Sequence, residues 1–356
     1  MPGLAPCLAC LLLYPKYGPR ATLPRSWFYI KEEIVDLLNL IVGNAAGTVK
    51  TVEDVRKLEA SAVTRITVGS ITKEPREGNS GDTYYFDTHS HASLNSIGMR
   101  NPGLEWYHAG GKLRRMTEIA HDAGKKLWAS VAGFSVEEYV QLAETCFLCG
   151  VDGVELNLGC PNVHDGGVSK PIFSYHPESV QDLLEQMEGN FLGAGHEIGV
   201  KISPVPSKRE KDKNEENILA PLVHAINSAS IITEVVAVNT LPKQTMRKSD
   251  GGPALSYMPL DGTELMHAGG LAGAPLKAHG LRVVGELLSH HPKAESALYS
   301  SIRVIGASGI FSGTDAKEYL DLGAAGFELG TAYYNHENPA VFSVILNELV
   351  GLYEPA

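Results

Sequence analysis

A chain of 356 residues with 44% hydrophobic and 20% charged residues and a mean hydropathy of −0.06 has room for a large core and lacks the bias of disordered or fibrous proteins. Its net charge of −11 argues against a nucleic-acid surface, which needs concentrated basic residues. Five cysteines (Cys7, Cys10, Cys146, Cys149 and Cys160) are too few and too unevenly spaced for a disulfide framework, which points to a reducing, cytoplasmic setting.

Residues 1 to about 30 read as an N-terminal extension. Its apolar run, Leu8 to Tyr14, is too short to span a bilayer, and no basic leader precedes it. The segment is expected to be peripheral or disordered, not a membrane anchor. Residues 31–356 then read as one domain. Eight short apolar runs recur: Leu40 to Gly43, Val63 to Val68, Leu127 to Val131, Gly153 to Leu158, Gly199 to Ile202, Val235 to Val238, Arg303 to Ile305 and Gly326 to Leu329. Helical patterns alternate with them at Thr51 to Ala60, Pro177 to Met187, Asn217 to Asn227, Leu276 to His290, Thr314 to Leu322 and Pro339 to Leu352. Another begins at Ser135, with Glu138 completing a capping box, and ends at Gly150.

Strands separated by helices must pair in parallel, because each crossover is too long for a hairpin. Eight of them favour an α/β fold of the closed (β/α)8 TIM-barrel type over an open doubly wound sheet. In such barrels ligands gather at the carboxyl ends of the strands. Two excursions, Ile71 to Trp106 and Leu241 to Gly270, leave that rim and are long enough to act as lids. The sign-alternating run Ser207 to Asn217 reads as a solvated loop. Cys146 and Cys149 form a CxxC with no second pair of similar spacing, so they read as small apolar helix residues and no metal is expected.

Chemistry concentrates in GVELNLGCPN, Gly153 to Asn162. Gly159 and Pro161 end the strand and hold Cys160 at its carboxyl end, while Asn157 and Asn162 supply amides that both donate and accept. The alternative is a buried structural cysteine. The glycine-rich loops GASGI (Gly306 to Ile310), LGTA (Leu329 to Ala332) and Gly269 to Gly273 let backbone N–H groups approach an anion, and in barrels a phosphate site follows strands seven and eight. A phosphorylated cofactor there would place its ring near Lys201 on the fifth strand. That lysine would stabilise the negative charge of a reduced flavin, unless it is paired to a carboxylate inside the barrel. Cys160 then becomes a candidate base.

From about Asn44 to Tyr353 the chain resembles the class 1 dihydroorotate dehydrogenases. The matching stretches are EPREGN (Glu74 to Asn79), LNSIGMRNPG (Leu94 to Gly103), ELNLGCPN (Glu155 to Asn162), GVKISP (Gly199 to Pro204), AVNT (Ala237 to Thr240), GGLAGAPLK (Gly269 to Lys277), IGASGI and LGTA. Class 2 enzymes use a serine base and a membrane-associating N-terminus, so Cys160 speaks for class 1. The resemblance implies a cytoplasmic, homodimeric flavoprotein of pyrimidine biosynthesis with FMN as cofactor and dihydroorotate as substrate. Cys160 would remove the C5 proton while hydride passes from C6 to N5 of FMN. It implies that Asn95, Asn157, Asn162 and Asn239 hold the substrate, with Ile97, Gly98, Met99 and Thr240 beside them. Ala45, Ala46, Gly47, Ser70, Asn157, Lys201, Thr240, Gly270, Ser308, Gly309, Gly330 and Thr331 would contact FMN. The segment Asn162 to Lys170, hinged at Gly166 and Gly167, matches a mobile loop that closes over substrate.

Several positions depart from the family pattern. Where the family has a Thr-Lys pair ending strand two, its lysine touching flavin and substrate carboxylate, this chain has Val68 and Gly69. Arg100, where the family often has proline, or Lys73 could supply the charge; the alternative is a different cyclic amide or enone that carries no carboxylate. Ser308 stands where glycine is usual. The electron acceptor, fumarate or NAD through a partner subunit, leaves no signature in the chain. A flavin-binding protein without turnover is a third reading.

Overall fold

The computed structural model describes residues 39–159, 164–165, 168–169, 172–205, 218–260, 262, 264–290, 302–336 and 338–353. Cys160, Asn162, Gly166, Gly167, the run Ser207 to Asn217 and the N-terminal extension therefore lie outside the described residues.

Eight strands close into one all-parallel barrel: β1 (Ile41–Asn44), β2 (Arg65–Ile71), β3 (Lys126–Val131), β4 (Gly153–Asn157), β5 (Glu197–Ile202), β6 (Ile232–Ala237), β7 (Arg303–Gly306) and β8 (Gly326–Leu329). Each pairs with its sequence neighbours, and β8 closes on β1 through the register Ile41 to Gly326. Each expected strand exists, with ends shifted by up to three residues. The principal helices between them are α1 (Val52–Leu58), α2 (Lys112–Asp122), α3 (Val136–Leu148), α4 (Pro177–Phe191), α5 (Leu219–Ser228), α6 (Lys277–His290), α7 (Gly313–Asp321) and α8 (Ala340–Gly351).

Helix α3 shows why these segments fold as they do. Tyr139, Leu142, Ala143 and Cys146 recur at helical spacing and bury one face. Ser135 accepts from Glu138 N, but the Glu138 carboxylate bonds Phe134 N at 2.7 Å and not the cap residue, so the expected capping box is only half formed. The full box belongs to Thr51 and Asp54 at the start of α1. Helix α2 was not anticipated, although Leu113, Met116, Ile119 and Ala120 give the same periodicity. Cys146 and Cys149 are free and buried, as expected of packing residues. Burial pushes the Cys146 thiol well above its ordinary value.

The main apolar core lies between the outer faces of the strands and the helices, drawing on Val42, Leu127, Val154, Leu156, Val200 and Val235 from the barrel. Inside the barrel the side chains are different. Trp128 projects inward over Gly153 and Gly199, where a Cβ would lie 2.4 and 2.9 Å from its ring atoms. Arg65 stacks on that ring at 4.6 Å, and its guanidinium bonds Glu234 at 2.5 Å and Glu328 at 2.8 Å.

The two excursions fold against each other. Leu241–Gln244, Gly269–Gly273, Ala92–Asn95 and Tyr84–Asp87 form a four-stranded antiparallel sheet, and Ser80–Asp82 pairs with Ser256–Met258. Leu94, Ala254, Leu255 and Tyr257 give this layer its own small core. Segments expected as loop-like lids are thus a sheet-bound layer beside the rim, because each supplies the backbone partners the other lacks.

Candidate active site

A cavity opens at the carboxyl ends of the strands and encloses about 1300 Å³ of space, solvent at its mouth included. Of the described residues expected at a site, Ala45, Ala46, Gly47, Ser70, Asn95, Ile97, Gly98, Met99, Asn157, Lys201, Asn239, Thr240, Ser308, Gly309, Gly330 and Thr331 all line it. Gly270 does not. It sits in a strand where its carbonyl accepts from Asn95 Nδ2 at 3.2 Å, and Ala272 and Gly273 of the same strand reach the wall instead. The run Gly269 to Gly273 is therefore extended backbone, not the open anion loop its glycines suggested.

The amides are positioned by a chain of hydrogen bonds. Asn157 Nδ2 donates to Ser70 Oγ at 2.8 Å, and its Oδ1 accepts from Asn239 Nδ2 and Gly159 N, both at 3.2 Å. Ser70 Oγ in turn lies 3.0 Å from Ser130 Oγ. Each amide has a second N–H that bonds no described residue, and both residues line the cavity. Gly159, the residue before Cys160, is held at both ends, since its carbonyl accepts from Ser203 Oγ at 3.0 Å.

The segment Ile97 to Met99 is oriented by its carbonyls. Ile97 O accepts from Asn79 N, Gly98 O from Arg76 Nε and Met99 O from Asn101 Nδ2. The three N–H groups of this segment bond no described residue and stand at the cavity wall. On the opposite side of the sequence, Ser308 and Gly309 follow β7, and Gly330 and Thr331 follow β8. Tyr319 donates to Ser308 O at 2.7 Å, and Thr331 Oγ1 lies 2.9 Å from Ser93 Oγ.

Lys201 lines the cavity and is also paired within the barrel, so both sequence readings of it hold in part. Its Nζ lies 2.8 Å from Glu328 and 3.7 Å from Glu155. Burial lowers the Lys201 pKa, but Glu155 and Glu328 outweigh it and hold the ammonium above its ordinary value. Burial pushes Glu155 up to about 6. Burial also pushes Glu328 up, and Lys201 and Arg65 together outweigh it, leaving that carboxyl below its usual range. Glu328 was not anticipated, although alternation along β8 turns it to the same side as the cavity.

Gly69 has a physical reason. The β2–β3 register slips between Val68 and Ile71, so Gly69 and Ser70 oppose a single residue, as in a β-bulge. Gly69 takes φ +120°, and a Cβ there would lie 2.3 Å from Ser130 O. No lysine fits this backbone. Of the two cations considered as substitutes, Arg100 lines the cavity and Lys73 does not. Lys50, Tyr84 and Ser93 also line it and were not anticipated.

No helix among the described residues is long and apolar enough to cross a membrane, and no group of three metal-ligating side chains occurs among them. The dihydroorotate dehydrogenase family model matches residues 33–352. The chain is 31% identical over 308 residues to dihydroorotate dehydrogenase A (fumarate) of Lactococcus lactis subsp. lactis, covering 86% of this chain and 88% of that protein. It is 29% identical to the catalytic subunit of dihydroorotate dehydrogenase B (NAD(+)) of Bacillus pumilus, covering 82% and 80%. The ligand-free dihydroorotate dehydrogenase of Eimeria tenella superposes with a TM-score of 0.66 at 18% identity, over 87% of this chain and 83% of that one, and shows the shared fold. With a family match along nearly its whole length and a barrel rim of the expected composition, the chain belongs to the dihydroorotate dehydrogenase family.

Proposed function

We propose that this protein oxidises dihydroorotate to orotate in pyrimidine biosynthesis, with FMN as cofactor and Cys160 as the base. One observation carries the reading: a single cavity gathers the amides of Asn95, Asn157 and Asn239, the ammonium of Lys201 and the loops after β7 and β8.

The family is flavin-dependent, and the cavity fits such a group. A Cβ at Gly330 would meet only Ala45 Cβ, at 3.6 Å, and one at Gly47 would meet nothing within 4 Å. These glycines keep space open where a side chain would fill it. Ser308, Gly309, Gly330 and Thr331 would hold the phosphate, while Ala45, Ala46, Gly47, Ser70, Asn157, Lys201 and Thr240 would contact the rest of the cofactor. Gly330→Leu is expected to lower the bound flavin markedly while the barrel stays folded, read as the flavin-to-protein absorbance ratio with circular dichroism as control.

When bound, the flavin supplies the hydride acceptor. The chain's own residues do the rest. Asn95, Asn157, Asn162 and Asn239 hold the substrate ring by its alternating N–H and C=O groups. Cys160 takes the C5 proton, and a thiol suits this once its surroundings lower its reference pKa of about 8.5. Lys201 remains protonated beneath the cavity and offers positive charge to the reduced cofactor.

The test is anaerobic mixing of flavin-loaded protein with dihydroorotate or dihydrouracil. Bleaching by dihydroorotate and not by dihydrouracil is the expected result. Gly69 supports a second reading, in which a neutral ring is the substrate, and the reverse preference would select it.

A further inference from the structure

Two cations stand on the cavity wall without an anionic partner among the described residues. Lys50 Nζ donates to Arg100 O at 2.7 Å, which uses one of its three donors. Arg100 donates to Glu77 O at 2.6 Å and Asn79 O at 3.2 Å, leaving part of its guanidinium unused. Neither forms an ion pair with a described residue, and both line the cavity. Burial, and then the nearby Arg100 charge, push the Lys50 ammonium below its ordinary value, and Asp54 offsets this only in part. An anion between them would relieve that cost.

The position of this pair is informative. Val49 O accepts from Gly69 N at 3.0 Å and Gly69 O from Gly47 N at 2.7 Å, so the loop after β1 that carries Lys50 lies directly beside the bulge glycine of β2. Tyr107 OH donates to Lys50 O at 3.1 Å, and Lys50 N donates to Asp54 Oδ2 at 3.1 Å, which fixes the backbone from which the side chain extends. The unused N–H groups of Ile97, Gly98 and Met99 stand next to Arg100 in sequence. Cations and backbone donors thus converge on one end of the cavity, the arrangement that recognises a carboxylate.

We propose that Lys50, with Arg100 beside it, forms the subsite for the carboxylate of the ring substrate and sets the preference for acids over neutral rings. The assignment rests on the reading of the cavity as a dihydroorotate site and names the residues that make it selective. No earlier feature of the sequence singled out Lys50, because it sits in a different loop from the glycine whose missing charge it supplies.

The experiment is equilibrium dialysis of orotate against flavin-loaded protein, for the parent chain and for Lys50→Met, Lys50→Arg and Arg100→Met. Lys50→Met is expected to weaken orotate binding roughly ten- to a hundredfold, the size of one lost hydrogen bond to a charged group. Lys50→Arg is expected to recover most of it, and Arg100→Met to show a smaller loss. Flavin content and near-ultraviolet circular dichroism confirm that each variant is folded. Tight orotate binding that is unchanged in Lys50→Met overturns this assignment and leaves the proposed reaction standing. Absence of orotate binding by the parent chain overturns the proposed reaction, and this assignment with it.

Discussion

Replacing Arg65 with methionine is expected to destabilise the fold by about 3–5 kcal/mol, the usual cost of removing one partner from a buried ion pair. Arg65 is almost fully buried inside the barrel, and its two guanidinium nitrogens hold Glu234 and Glu328. Methionine fills much of the volume over Trp128 but leaves two carboxylates short of a counter-charge. Burial already pushes Glu234 above the ordinary range even with Arg65 present. Without Arg65 both carboxyls shift upward in the folded state, Glu234 from an already raised value and Glu328 from one held below its usual range, so the folded variant holds more protons than the folded parent chain. Relative to the parent chain the variant therefore loses stability as pH climbs through and above the ordinary carboxylate range, and the gap between the two widens. Arg65→Lys keeps one charge but loses the fork that reaches both acids, and an intermediate loss is expected. Urea denaturation of the three proteins at two pH values measures this. A gap that narrows with rising pH contradicts the account of the barrel interior.

Cys160→Ala is expected to slow reduction of the flavin by dihydroorotate by about 10²- to 10⁴-fold, the range ascribed to general acid–base catalysis. Orotate affinity should change little, since the amides and cations proposed to bind it are untouched. In sequence Cys160 follows Gly159, whose N–H and carbonyl are both fixed by neighbouring side chains. Stopped-flow absorbance separates the two quantities. Equal loss of binding and rate in the variant would indicate a cysteine that supports the site's structure and not one that moves a proton.

The barrel was legible because its signals are local. Short apolar runs at regular distance, each followed by a helical pattern, fix strand number and parallel pairing, and the rim then follows from chain direction. Residues on short turns after a strand, such as Ala45, Asn239 and Thr331, were placed for the same reason. What was not legible depends on contacts between distant segments. Tyr84–Asp87 pairs with Ala92–Asn95, and Leu241–Gln244 with Gly269–Gly273, across stretches whose Gly, Ser and His content reads as loop. Glu328 and Lys201 are 127 residues apart, and no pattern within either strand announces the pair. Lys50 escaped because only the folded chain brings its loop beside Gly69. The Gly269 to Gly273 run misled because glycines in sequence suit both an anion loop and a strand pressed against another backbone, and here a Cβ at Gly269 would lie 2.5 Å from Asn95 O.

The most direct test of the central claim is the electron density of crystals grown with FMN and orotate. The flavin phosphate is expected between Ser308–Gly309 and Gly330–Thr331, with the orotate ring bounded by Asn95, Asn157 and Asn239. A ring bound away from those three amides, or no phosphate between the two loops, would contradict it.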